Sequence, residues 1–149
     1  MAGLIGVARI AEEALAAATA ETVIQLVAPS NHRLKILEWG VFFDGVSATA
    51  EPVIVDLLRQ TTAGTASSLS LVKWNDSDDE TLQATAQQDF TVEPTAGDIV
   101  ESKEVHPQSG YEKIYPLGQE LMVKGGGRMG LRITAPAIVN VLAYIKYEE

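Results

Sequence analysis

Apolar residues in this chain recur mainly at every second position. In the last stretch Val139, Val141, Ala143, Ile145 and Tyr147 oppose Ile138, Asn140, Leu142, Tyr144 and Lys146, the period of a strand. Residues 52–58 repeat the pattern, with Val53, Val55 and Leu57 on one side. Shorter β-prone runs occur at 22–27, 69–74, 81–92, 99–105, 114–115, 120–124 and 130–134, separated by turn clusters such as Pro29-Ser30-Asn31. The polar, Thr- and Gln-rich run 81–92 is expected to face solvent or to lie at a sheet edge. Residues 61–68, Thr-Thr-Ala-Gly-Thr-Ala-Ser-Ser, read as a loop. Gly125-Gly126-Gly127-Arg128 reads as a hairpin loop in which positive φ is permitted.

The most apolar stretch is 34–44, which holds one of the two tryptophans and two of the three phenylalanines. Strict alternation puts Leu34, Ile36 and Phe42 on one face and Leu37, Trp39, Val41 and Phe43 on the other. Both faces are then apolar, which predicts a strand inside a sandwich or barrel, or at an oligomer contact, ended by a turn at Asp44-Gly45.

Residues 4–20 carry the only helical spacing: Val7, Ile10, Ala11, Ala14, Leu15 and Ala18. That stripe is mostly methyl groups and buries little. The segment is therefore expected to be a short helix or an extended N-terminal arm that orders against a neighbour. The whole predicts an all-β fold, an antiparallel jelly-roll sandwich of about eight strands over residues 21–149, preceded by the arm over 1–20. A long early strand and a long final strand would pair and close the sheets.

Composition narrows the function classes. One domain fits 149 residues, and the absence of cysteine removes thiol chemistry, thiolate metal sites and disulfides. A formal charge of -9 opposes non-specific contact with nucleic acid or an anionic membrane. No basic residues precede the apolar start, and Glu12 and Glu13 interrupt it, so no export signal is expected. No run approaches the ~18 apolar residues of a membrane span.

Motifs that would carry chemistry fail on spacing. Asp76, Asp78 and Glu80 alternate like calcium-loop ligands, but Thr81 stands where glycine is needed and Gln87 where the bidentate glutamate belongs. Ser70 and Lys73 have the spacing of a serine–lysine pair that requires a helix, in a segment that alternates as a strand. The glycine-rich run 125–130 lacks the Gly-Lys-Ser/Thr end of a phosphate loop. His32 and His106 are separated and have no partner at ligand spacing. Gly110, Pro116 and Gly118 match turn positions of the second cupin motif, but Leu121 and Gly125 replace its metal-binding histidine and its asparagine. No enzyme, cofactor or metal is expected.

The order of segments resembles small tailed-phage virion proteins. The resemblance rests on Ala16 to Ala20 leading into a strand, Phe43-Asp44-Gly45 closing the apolar stretch, and Leu58-Arg-Gln-Thr-Thr-Ala-Gly-Thr65. Glu93-Pro94-Thr95, Val105-His106-Pro107-Gln108 and the ending from Ala135-Pro136-Ala137 through Glu148-Glu149 extend it over nearly the whole chain. In particular, the chain is similar to jelly-roll capsid decoration, or cement, proteins. That resemblance implies a homotrimer, made in the host cytoplasm, that sits on the major capsid protein outside an icosahedral shell. On this reading the contact residues are Leu4, Ile5, Val7, Arg9, Ile10 and Leu15 of the arm, with Trp74, Tyr111, Tyr115 and Arg128 as outlying anchors. Two alternatives stand beside it. One is a receptor- or glycan-binding module of a fibre or tail, stacking ligand on Trp74 with Tyr111 or Tyr115; the other is a metal-free cupin-like protein.

Overall fold

The computed structural model describes residues 3–45, 51–77 and 79–149. Met1 and Ala2 of the expected arm and Asp78 of the acidic triplet lie outside the described residues. The strands are β1 (Ile5–Arg9), β2 (Glu13–Leu15), β3 (Ala20–Val27), β4 (Leu34–Phe43), β5 (Val53–Gln60), β6 (Thr65–Leu69) and β7 (Leu71–Lys73). Then follow β8 (Thr85–Val92), β9 (Ala96–Val105), β10 (Gly110–Ile114), β11 (Leu121–Val123), β12 (Arg128–Thr134) and β13 (Val139–Glu148). No helix forms among the described residues. Two antiparallel sheets make a β-sandwich. One runs β10-β4-β13-β1-β7, with β11 also on β4 and β2 also on β13; the other runs β6-β8-β3-β12-β5-β9.

The expected pairing of early and final strands is present, with Val41 opposite Ala143 and Trp39 opposite Ile145. In the other sheet β3 lies against β12. β3 and β4, like β12 and β13, thus contribute one strand to each sheet, with β3 paired to β12 and β4 to β13, and the two antiparallel sheets form the expected β-sandwich. The alternation of β13 holds throughout: Val139, Val141, Ala143, Ile145 and Tyr147 are buried, and Leu142 on the opposite face is exposed.

Four local expectations are corrected. First, residues 4–20 form neither helix nor detached arm. β1 is hydrogen-bonded between β13 and β7, and β2 extends the same edge of β13. Its inward positions, Leu4, Gly6, Ala8 and Ile10, are buried. Gly6 has no side chain because Tyr147 lies against it, and an added Cβ would fall 2.5 Å from the ring carbon Cζ. Long-range pairing overrides the helix propensity of alanine there. Second, residues 65–68 of the expected loop join Leu69 in β6, paired with β8, which places β8 inside the sheet and not at its edge, although it is solvent-facing as expected, with Thr85, Asp89, Thr91 and Val92 exposed. Third, Gly125 to Arg128 does not close a hairpin: β11 belongs to the seven-stranded sheet and β12 to the six-stranded one, so the glycines carry the chain across the sandwich. Gly126 has φ +71°, as the turn requires. Fourth, β4 is not a uniform two-faced strand. Lys146 stands opposite Glu38 and Tyr147 opposite Ile36, which leaves Leu37 as the extra residue of a β-bulge.

Candidate interaction surface

The outer face of the seven-stranded sheet carries several exposed apolar side chains; Ile54, Val92, Ile99 and Val100 of the other sheet, and Leu117 and Ile138 outside the strands, are exposed as well. Phe42 and Leu142 stand opposite each other on β4 and β13 and are 40% and 38% exposed. Val72 and Trp74, on and just after β7, are 64% and 57% exposed, and Ile114 on β10 is 68% exposed. The outward, partly buried Ile5 and Val7 of β1 connect these patches. Adjacent apolar side chains on one exposed sheet face are the physical mark of a contact surface.

Charged groups sit among them in a defined pattern. The Tyr144 hydroxyl lies within hydrogen-bond reach of Glu38 and, at 2.8 Å, of Glu112. Because a phenol has one proton to donate, two carboxylates leave this spot acidic. Burial and then the two glutamates push the Tyr144 phenol well above the usual tyrosine range, so it stays protonated. The ring rests over Gly40, where a Cβ would lie 2.6 Å from Tyr144 Cε1. Glycine at this point is what lets the ring lie flat across the strand. Beside it Lys146 pairs with Glu38 at 3.9 Å and holds its Nζ 3.6 Å from the centroid of Trp74.

The residues expected at contacts are divided by the fold. Leu4, Ile10 and Leu15 are core, at 6%, 0% and 2% exposure, and present nothing to a partner. Ile5, Val7, Arg9 and Trp74 do lie on the outer face. Tyr111 and Tyr115 anchor the opposite edge to the core. The Tyr111 ring centroid is 5.5 Å from that of Trp39, and Trp39 Nε1 donates to the Tyr115 hydroxyl at 3.2 Å. From β7 to β10 is four strand spacings, ~19 Å, so Trp74 and these tyrosines form no shared platform. Arg128 belongs to the other sheet, where it donates to Gln25 Oε1 at 3.3 Å.

Sequence reasoning did not single out Glu38, Phe42, Glu112, Leu142, Tyr144 and Lys146. The signal was there in the alternation of β13, whose outward set mixes Leu142, Tyr144 and Lys146. Among the described residues no group of three or more histidine, aspartate or glutamate side chains is placed to hold a metal. His32 Nδ1 contacts Asn31 Oδ1 at 3.0 Å, and His106 Nδ1 accepts from the Gln108 backbone N–H at 3.1 Å, each within its own loop. No protein-family model and no curated protein sequence matches the chain.

Proposed function

We propose that the chain is a structural protein of a tailed-phage virion, a decoration protein that binds the outside of an icosahedral shell and associates there with other subunits. The observation that carries this reading is the exposed set Phe42, Val72, Trp74, Ile114 and Leu142 brought together on one sheet face. Such a face supports protein contact better than it supports catalysis, because Tyr144, Glu38, Glu112 and Lys146 are already bonded to one another. The resemblance in segment order adds the shell: it implies the major capsid protein as partner, a homotrimer as the assembly, and the virion surface as the location. Quantitative mass spectrometry of purified virions tests the assignment. The expected result is this chain at a copy number comparable with that of the major capsid protein; its absence contradicts the assignment.

The receptor- or glycan-binding alternative draws on Trp74, which borders a cleft of about 590 Å³ with Val7, Arg9 and Ser70. Lys146 already covers one face of that indole, which leaves a sugar only the other.

A further inference from the structure

We infer that the outer face of the seven-stranded sheet takes a second copy of this chain, related to the first by a two-fold axis parallel to the strands, between β4 and β13. This rests on the proposed function's reading of that surface as a contact face, and it puts a two-fold pair there in place of the homotrimer that the resemblance implies. The strand registers arrange the face in rows. One row across β10, β4, β13 and β1 reads Glu112, Gly40, Tyr144, Arg9. The next reads Ile114, Glu38, Lys146, Val7, and the row on the other side has Phe42 beside Leu142.

A two-fold axis along the strands lays each row over itself and exchanges β10 with β1 and β4 with β13. Glu112 of each copy then meets Arg9 of the other, and Glu38 meets Lys146. Phe42 meets Leu142, and the Tyr144 rings, each lying over its own Gly40, come together at the axis. Every contact occurs twice, as in an isologous interface. Arg9 makes no ion pair among the described residues, so its guanidinium is available for Glu112. The other in-plane axis, perpendicular to the strands, would set Glu112 on Glu112 and Arg9 on Arg9, and like charges would oppose it. Packed sheets cross at ~30°, so the match is closest at the axis, where the four central side-chain positions lie, and long side chains bridge the outer pairs.

The test is sedimentation equilibrium over a wide concentration range on wild type, Arg9→Glu, Glu112→Arg, and a 1:1 mixture of the two variants. Expected are a wild-type dimer, a Kd at least ~10-fold weaker for each variant alone, and recovered dimer in the mixture, where both opposite-charge pairs are restored. Leu142→Asp is a second disruptive variant, independent of the charges, and melting curves establish that each variant is folded. A wild-type protein that stays monomeric at millimolar concentration, or that runs as a trimer, overturns the two-fold pair. A mixture that fails to recover association does so as well. Shell binding by a wild-type monomer would discard the pair and keep the decoration reading, whereas a dimer that ignores shells would do the reverse.

Discussion

Ile36 and Trp39 are three residues apart in one strand, yet both point into the sandwich and both are fully buried. The bulge at Leu37 makes this possible by inserting one residue between the position opposite Tyr147 and that opposite Lys146. Trp39, Val41 and Phe43 therefore join Leu34 and Ile36 in the core, and Phe42 is turned outward.

Deleting Leu37 would restore strict alternation and put Trp39, Val41 and Phe43 on the wrong face. Loss of the Trp39 side chain alone is worth ~3–5 kcal/mol. The deletion exceeds that and consumes most of a typical ~5–15 kcal/mol stability. Urea titration followed by tryptophan fluorescence should find no cooperative transition in the deletion. A midpoint near that of wild type would contradict the bulge.

Removal of residues 2–20 is expected to abolish folding. It takes away Leu4, Ala8, Ile10 and Leu15 from the core and leaves the edge of β13 unpaired. Far-ultraviolet circular dichroism of the truncated chain should lose its strand signal. A folded truncated domain would mean that these strands are a dispensable arm after all.

On the outer side of the six-stranded sheet, Gln25 Nε2 donates to Gln60 Oε1 at 2.7 Å, and Gln60 Nε2 donates to Thr22 Oγ1 at 3.0 Å. All three residues are buried. Gln60→Leu strands part of this chain of hydrogen bonds and should cost ~1–3 kcal/mol. Adding Gln25→Leu should cost less in the Gln60→Leu background than alone, because the two side chains share one bond. Strictly additive denaturation free energies would deny the coupling.

Burial, with Asp89 and Glu21 close by, raises the Glu13 carboxyl to about 7. Between the ordinary carboxylate pKa and that value the folded state holds a proton that the unfolded state has released. Stability from this group is thus complete at acid pH and is lost as pH rises through about 7. Glu13→Gln should match wild type near the acid end of that window and be more stable at pH ~8, by on the order of 1 kcal/mol after solvent screening. Melting temperatures across the window decide it; a variant less stable at alkaline pH reverses the sign.

Legibility in the sequence followed the reach of the interactions. β13 and β5 were readable because each has one clean buried face with period two, and the sandwich class followed from many such short segments. β1 was not, because Gly6 and Ala8 face the core as small residues, and the apolar spacing of Val7, Ile10 and Ala11 also fits a helix. What fixes them as strand is β13, more than a hundred residues further on. The bulge at Leu37 is invisible for a similar reason: it is defined by the partner strand. Ile5, Val7, Arg9 and Trp74 were found as surface candidates, but Glu38, Glu112 and Tyr144 come together only when β4, β10 and β13 are laid side by side.

The most direct measurement of the decoration reading uses shells assembled from the major capsid protein of the genome that encodes this chain. Purified protein should cosediment with them to saturation and raise the temperature at which they come apart. Protein that stays in the supernatant while shell stability is unchanged would contradict the reading.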